Sequence, residues 1–245
     1  MSDSTTKPAV TRSSIELWSA FALLYLVWGS TYLAIRIAVR TLPPFTLAGL
    51  RFLIAGAVPL AVLRARKVPW PNRLELRNAF IVGTCLMVGG NGLVSWAEQS
   101  VSSSLAALLI AVTPLWFVLF DALRVGGQAP SRRALFGLLV GFLGVASLIG
   151  PDNVRRDLGA PSLVGLTVIL FASVSWAFGS IFGKYNAHPK SLWMNSSLQM
   201  ISGGVMSIAV GVCTGEPARL AHSTISYDAL LALLYLIMFG SWLGY

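Results

Sequence analysis

The chain has 245 residues, of which 56% are hydrophobic and only 11% are Asp, Glu, Lys or Arg. Soluble domains carry roughly 25% charged residues, so this composition excludes intrinsic disorder and a disulfide scaffold. It also disfavours a water-soluble globule, because too little polar surface is left to cover one. A net charge of +9 would suggest a nucleic-acid partner in a soluble protein. Here the basic residues lie in short gaps between apolar segments, which is where membrane topology signals lie. The composition therefore predicts a protein that crosses the bilayer several times.

Eight apolar segments follow one another along the chain, each about 20 residues long, the length at which a helix crosses a bilayer. The loops between them are too short to hold a soluble domain. The first 14 residues are polar, and the apolar run that follows is too long for the core of a secretory signal, so the first helix is predicted to be retained. The predicted spans are 16–36, 44–63, 76–96, 101–121, 133–150, 163–183, 191–212 and 227–245.

Basic residues determine the predicted orientation. If the N-terminus is inside, the cytoplasmic segments hold 12 Lys and Arg residues and the outer segments hold 5. Five of the 12 lie in one loop, between Arg64 and Arg77. Since basic residues accumulate in cytoplasmic loops, the N-terminal tail is predicted to be cytoplasmic.

Three collinear matches indicate an internal duplication. Gly29-Ser30 matches Gly179-Ser180, residues 50–58 match 198–206, and residues 86–93 match 236–243, at offsets of 148 to 150. This period contains five spans, an odd number, so the second copy must be inverted in the membrane. The loop charges agree, because the counterpart of the five-charge loop contains only Arg219. The alternative is chance similarity among Gly- and Ser-rich helices.

In this register Tyr245 aligns with Ser95, so the second copy stops after its third span. The predicted fold is an all-α, polytopic bundle of inverted five-helix repeats, with eight spans present of an expected ten. The tail comprises residues 1–15, the first repeat 16–150 and the second 162–245. We therefore expect the gene to continue for about 50 to 60 codons, enough for two more spans.

The duplicated residues also resemble a known family. Residues 28–56, 90–116 and 175–185 are similar to the EamA-type transporters of the drug/metabolite transporter superfamily. The similarity lies in the aromatic-Gly-Ser first helix, in Leu50-Arg51-Phe52 of the second, and in Thr113-Pro114 of the fourth. It implies ten helices in two inverted repeats, both ends in the cytoplasm, a bacterial inner-membrane location and the movement of small metabolites, mostly outward. The chain departs from that pattern in lacking helices nine and ten.

Polar side chains within spans are costly and so mark candidate functional positions. Arg51 lies roughly 10 Å into span 2, where it either faces a cavity and pairs with a helix end, or extends to the outer headgroups. Asn91, Ser95 and Glu98 share one face of span 3. Glu98 is the candidate group for proton or cation coupling, and the alternative is a cap or salt bridge in the outer turn.

Span 7 repeats this spacing with Asn195, Gln199 and Ser202, and Gln199 aligns with Arg51. These residues line a cavity or make interhelical hydrogen bonds, which are worth about 0.6 kcal/mol each. Trp28 and its repeat partner Trp176 suit an aromatic cavity wall, or else packing and interfacial anchoring. The candidate substrate-binding residues are Trp28, Ser30, Arg51, Asn91, Ser95, Trp176, Ser180, Asn195 and Gln199.

No motif of a metalloprotease, a serine hydrolase or a nucleotide-binding loop occurs in the chain. We therefore predict no enzyme, cofactor or metal site, and an inner-membrane secondary transporter that exports small metabolites, amino acids or drugs by alternating access. The alternative is an accessory or structural membrane subunit. The predicted partners are a small-molecule substrate, the lipid bilayer and, as a hypothesis, a second copy in a homodimer, with no nucleic acid.

Overall fold

The computed structural model describes residues 14–127, 130–141, 143–144 and 160–244. These ranges consist of helices joined by short connections and contain no strand. Two of the helical segments are π-helices. Thr84–Gly92, between α3 and α4, is called the first π segment, and Leu236–Leu243, after α11, is called the second π segment. The helices are α1 (Ser14–Ala38), α2 (Pro44–Ala65), α3 (Arg73–Gly83), α4 (Leu93–Ala97), α5 (Ser103–Ile110), α6 (Thr113–Leu123), α7 (132–141), α8 (Ala160–Tyr185), α9 (Leu192–Cys213), α10 (Glu216–His222) and α11 (Tyr227–Tyr235).

Within the described ranges, six helical stretches are long and apolar enough to cross a membrane, so the predicted all-α membrane fold is confirmed. A seventh apolar stretch, Tyr227–Leu243, is shorter and covers most of the predicted last span. The predicted fifth span, 133–150, is helical over 132–141, and its end lies outside the described residues. The six long stretches are Glu16–Ala38, Pro44–Ala65, Arg73–Ala97, Ser103–Leu123, Leu163–Tyr185 and Leu192–Cys213.

The two π segments occupy matching places in the proposed repeats. In the first, Asn91 Nδ2 donates to the carbonyl of Leu86 at 3.1 Å. In the second, Ser241 Oγ donates to the carbonyl of Leu236 at 3.1 Å. Both bonds span five residues, and the two pairs are 150 positions apart, which is the offset of the sequence matches. This agreement supports the duplication, which stays a prediction together with its inverted orientation.

Glycines allow the central helices α2 and α9 to pack backbone against backbone. A Cβ atom on Gly56 would lie 2.8 Å from the carbonyl oxygen of Ser197, and one on Gly204 would lie 2.9 Å from the amide of Leu53. A Cβ atom on Gly83 of α3 would lie 2.2 Å from the carbonyl oxygen of Gln199. Membrane helices gain their association from such close van der Waals contact, because lipid is as apolar as the side chains.

Pro59 interrupts the hydrogen bonding of α2, and a residue of the second π segment takes the place of the missing donor. Because proline has no N–H, the carbonyl of Ala55, four residues earlier, lacks its helical donor. Trp242 Nε1 donates to that carbonyl at 2.9 Å instead. The kink-prone position is therefore stabilised by a residue from the other predicted repeat.

The orientation can be tested with single cysteines in a chain whose own Cys85 and Cys213 are replaced. The loop after α2 is expected to be cytoplasmic and the loop after α9 external, because of the bias in basic residues. Asn72 caps α3, so the exposed Pro69 is the better inner position, and the exposed Thr214 is the outer one. A membrane-impermeant maleimide should label Thr214→Cys in intact cells and Pro69→Cys only after lysis. The opposite pattern would contradict both the orientation and the inversion.

Candidate functional site

Arg51 is buried two turns after the start of α2 and holds the two π segments together. It is only 3% exposed, so it does not extend to the headgroups. Its Nε donates to Ser241 Oγ at 2.9 Å and its Nη2 to the carbonyl of Gly240 at 2.8 Å. Its Nη1 lies 3.4 Å from Asn91 Oδ1 in the first π segment. The planar guanidinium suits this role, because its donors point to several acceptors at once.

Gly240 leaves the space that the guanidinium occupies. A Cβ atom at this position would lie 2.8 Å from Arg51 Nη2 and 3.5 Å from Thr31 Oγ1 of α1. Any other residue would therefore displace Arg51 or α1. The arginine, the second π segment and α1 consequently meet at Gly240.

Trp28 of α1 and Trp176 of α8 form an edge-to-face pair with ring centroids 6.1 Å apart. A Cβ atom on Gly90 would lie 2.6 Å from Cε3 of Trp176. One on Gly244 would lie 3.3 Å from Nε1 of Trp28. The tryptophan pair thus lies between the ends of the two π segments, one ring against each. Trp28 is half exposed.

Ser30 connects α1 to α11. Its Oγ lies 2.6 Å from the carbonyl of Leu26 and 2.5 Å from the hydroxyl of Tyr235. Both distances are satisfied when Ser30 donates to the carbonyl and Tyr235 donates to Ser30. Tyr235 directly precedes the second π segment, so this contact lies beside the residues that Arg51 joins. The group referred to below consists of the residues in these contacts: Trp28, Ser30, Thr31, Arg51, Asn91, Trp176, Tyr235, Gly240 and Ser241.

Glu98 directly follows the apolar stretch Arg73–Ala97 and is fully buried. Within the described ranges, no donor lies within hydrogen-bond distance of either carboxyl oxygen. Arg36 of α1 donates to the backbone carbonyl of Glu98 and not to its carboxyl group. Burial raises the pKa of Glu98 to about 9, and the positive charge of Arg36 opposes that rise. The carboxyl group is therefore neutral at pH 7.

The remaining sequence candidates make contacts within or next to their own helices. Ser95 donates to the carbonyl of Asn91 at 2.8 Å, and Ser180 lies half-buried one turn beyond Trp176. Gln199 donates to Asn195 at 3.0 Å along α9. Ser202 lies 3.3 Å from the carbonyl of Ala79 in α3. The polar stripe of α9 thus packs along α3, whereas Arg51, Asn91, Trp28, Trp176 and Ser30 converge on the π segments.

Sequence reasoning missed several members of this group: Thr31, Tyr235, Gly240 and Ser241. Ser241 was detectable, because it aligns with Asn91 at the repeat offset of 150. Tyr235 carried no such signal, since a tyrosine in an apolar helix is ordinarily an interfacial or packing residue. Among the described residues, no group of three His, Cys, Asp or Glu side chains could hold a metal ion.

A cavity of about 300 Å³ lies beside this group, between α2, α9 and the second π segment. Ser241 borders both the cavity and the Arg51 network. The other residues that line it are Ala55, Pro59, Leu192, Trp193, Ser196, Ser197, Met200 and Trp242. Trp28 and Trp176 do not line this cavity.

The chain is similar to a known transporter family, to curated membrane proteins and to a solved structure. Residues 17–150 match the model of the EamA-like transporter family. The chain is 36% identical over 231 residues to a protein of Escherichia coli (strain K12) named "uncharacterized inner membrane transporter YedA", covering 94% of this chain and 72% of that protein. It is 24% identical to a "probable amino-acid metabolite efflux pump" of the same strain, covering 91% of this chain and 73% of that protein. A solved crystal structure superimposes with a TM-score of 0.61 at 20% identity, covering 94% of this chain and 76% of that one, and supports the fold alone.

Proposed function

The chain belongs to the EamA-like transporter family and is a multi-pass bacterial inner-membrane protein; from this premise we propose that it is a secondary transporter that exports small metabolites by alternating access. The family resemblance and the membrane location expected from the sequence are confirmed. The orientation, the mechanism and the substrate belong to the proposal, as does the absence of an enzymatic activity.

The observation that carries the proposal is the bridge from Arg51 to both π segments. π-helical turns replace the regular helical bonding with longer, less favourable bonding and occur frequently at functional sites. The first segment contains Gly89, Gly90 and Gly92 and the second contains Gly240, positions at which no side chain restrains the backbone. In inverted-repeat transporters one repeat rocks against the other around a site near the bilayer midplane. Such a motion would change which segment Arg51 binds.

The chemistry of the group favours a small solute with an aromatic or aliphatic part and a hydrogen-bonding or anionic part. Trp28 and Trp176 provide apolar faces. Arg51, Asn91 and the Ser30–Tyr235 pair provide polar groups nearby. Amino acids and their derivatives have both parts, and one relative is named for the efflux of an amino-acid metabolite. They are therefore the first substrates to test.

The proposal can be tested by reconstituting the purified protein in liposomes and measuring counterflow of radiolabelled amino acids and their derivatives. Uptake above protein-free liposomes, saturable and suppressed by an excess of the same unlabelled solute, would support it. If the reconstituted protein moves no solute but restores transport when a second membrane protein is co-reconstituted, the accessory-subunit alternative is correct and the proposal fails.

Glu98 is the proposed coupling group, because it is buried beside the outer end of α4 and has no hydrogen-bond partner among the described residues. Its pKa of about 9 means that it is neutral below that pH and charged above it. Wild-type transport should therefore change as the pH passes through 9. Glu98→Gln mimics the neutral form and should show no change across that interval. An identical pH profile in the variant would remove Glu98 from coupling.

The same substitution makes a second, independent prediction about stability. Between the ordinary pKa of a glutamate, near 4.5, and about 9, the folded state binds more protons than the unfolded state, so stability falls as the pH rises. Glutamine does not titrate. Glu98→Gln should therefore raise the melting temperature at pH 7.5, by the equivalent of roughly 4 kcal/mol at most, and should have little effect at pH 4.5. A shift that is equal at the two pH values would contradict the burial argument.

A further inference from the structure

Helix α1 packs along α11 and the second π segment, which come at the far end of the chain. Ser30 and Tyr235 make a hydrogen bond across 205 positions of sequence, and the amide of Ser226 donates to Thr41 Oγ1 at 3.2 Å. Between these two contacts lies an apolar cluster, which includes Ala34, Ile35, Ala38, Val39, Ala229, Ala232 and Leu236. The second half of α1 is therefore attached to α11.

Helix α8 is attached in the same way to the helices between residues 73 and 123. Trp116 Nε1 donates to Ser173 Oγ at 2.9 Å, and the hydroxyl of Tyr185 donates to Asp121 Oδ1 at 2.5 Å. Ser173 and Tyr185 are 12 positions apart on α8, which is roughly 18 Å of helix. Toward the start of α8 the contact continues as an apolar cluster, which includes Ala97, Val101, Ala106, Leu166 and Ile169.

These contacts divide most of the described helices into two units. The α1 unit comprises residues 14–41 and 226–243, and the α8 unit comprises residues 73–123 and 160–185. Each unit joins one helix to partners from the other half of the chain. Membrane helices associate through close packing and hydrogen bonds of this kind. If the two halves of the chain rocked as separate bodies, both sets of contacts would break.

The contacts between the α1 unit and the α8 unit are made by individual side chains of α1. Trp28 meets Trp176 edge to face, and Tyr32 packs against the apolar cluster of the α8 unit. Near the end of α1, Arg36 donates to the backbone carbonyl of Glu98. Glu98 is the C-cap residue of α4, a position where carbonyls lack helical donors and the helix dipole favours a cation. Arg36 therefore fastens α1 to the end of α4.

We propose that the α1 unit and the α8 unit, and not the two halves of the chain, move against each other during transport, and that Arg36 is the gate residue that holds them together at the outer end. This inference rests on the proposed function, because it names the moving parts of alternating access. Arg36 is a positioning residue, since it acts through α4.

The central helices connect the two units. Trp242 of the α1 unit donates to α2, and Ser202 of α9 donates to the carbonyl of Ala79 in the α8 unit. The first π segment belongs to the α8 unit and the second to the α1 unit. Arg51 of α2 binds both segments, so a movement of the units changes the surroundings of its guanidinium.

Two disulfide locks test the units, because each joins the two halves of the chain but lies within one unit. Thr41→Cys with Ser226→Cys replaces two hydroxyls whose oxygens are 3.2 Å apart in the α1 unit. Val101→Cys with Gly165→Cys lies in the α8 unit, where a Cβ atom on Gly165 would be 2.5 Å from Cγ2 of Val101. Both pairs are close enough for a disulfide, and both are made in a chain without its own cysteines.

Counterflow in liposomes is compared before and after reduction of each lock, and the loss of free thiols verifies that the lock has formed. Transport should be the same in the oxidised and the reduced protein. If the halves of the chain rock instead, each lock joins moving parts, and transport stops until a reductant restores it. Arrest by either lock would overturn the proposal.

The gate is tested by thiol labelling from outside intact cells, which needs no transported solute. Ala97→Cys and Ala38→Cys are matched reporters, because both alanines are fully buried. Ala97 belongs to the cluster that Tyr32 covers, and Ala38 to the cluster within the α1 unit. Arg36→Gln should raise the labelling rate of Ala97→Cys by about tenfold or more, the factor for one hydrogen bond from a charged donor. Ala38→Cys should stay protected.

Two controls accompany this measurement. Arg36→Lys keeps a cation at the end of α4 and should restore most of the protection, whereas Arg40→Gln, at an exposed arginine one turn further on, should change nothing. Equal increases at both reporters would mean general loosening, and an increase at Ala38→Cys alone would mean that α1 leaves α11. Either result, or no increase at Ala97→Cys, would overturn the gate. If no solute is transported but the labelling is as expected, the proposed function fails and the gate stands.

Discussion

Replacing Arg51 with methionine is expected to lower transport by at least about a hundredfold, because two hydrogen bonds from a charged donor are worth roughly 3 kcal/mol or more. The guanidinium joins Gly240 and Ser241 of the second π segment to Asn91 of the first. Methionine fills a similar volume but donates to none of them. Without these hydrogen bonds, α2 would no longer link the second π segment to the first. Initial rates in reconstituted liposomes, normalised to the amount of inserted protein, measure the effect.

Two further variants separate this role from a general effect of charge. Arg51→Lys keeps the positive charge but offers a compact ammonium group in place of a planar fork, so it should restore only a small part of the lost rate. Arg40→Met removes an arginine that is exposed outside the spans and should transport normally. Stability alone is a poor measure here, because removing a buried charge also relieves its desolvation and offsets part of the lost bonding. Transport by Arg51→Met at the wild-type rate would refute the proposed bridge.

Glu216→Ala should destabilise the protein by roughly 3 to 5 kcal/mol, because it removes a buried carboxylate that accepts three hydrogen bonds. The carboxylate binds the backbone amide of Phe45 at 3.0 Å, the amide of Thr46 at 2.7 Å and the hydroxyl of Thr46 at 2.8 Å. These amides belong to the first turn of α2, where helical N–H groups have no internal acceptor and the helix dipole favours a negative charge. Gly215, with a φ of +77°, turns the chain so that Glu216 reaches this position.

A matched control is available at the start of α3. Glu75 accepts from the amide of Asn72 in a capping box, but it lies at an exposed helix end. Glu75→Ala should therefore cost only about 1 kcal/mol. For a chain of this size, the difference corresponds to a melting temperature roughly 10 °C lower for the Glu216 variant. Equal melting temperatures for the two variants in detergent would show that the cap of α2 contributes no more than an exposed one.

Local patterns identified some parts of the site and not others. Arg51, Asn91 and Glu98 stood out because an ionisable or amide group in an apolar span is costly and needs a compensating environment. The same reasoning selected Asn195 and Gln199, whose side chains bond to each other along α9 and not to Arg51. Periodicity alone cannot tell these cases apart, because a polar stripe that faces a neighbouring helix has the same spacing as one that faces a cavity. Gly240 and Glu216 had no local signal at all, since their role depends on residues about 170 to 190 positions away.

The sequence by itself determined that this protein is an all-α membrane protein with several spans, and that its first half resembles the EamA-type transporters. The physical reason is that a bilayer offers no hydrogen bonds to a backbone, so long apolar segments must be helices. Only the tertiary structure decided which helices meet at the centre, because association in lipid depends on fine packing and on individual polar contacts. It brought Ser241 to Arg51 and Trp176 to Trp28, and it placed the Glu216 carboxylate on the first turn of α2. Those pairings follow from the way glycine-lined helices cross, which no local pattern of residues specifies.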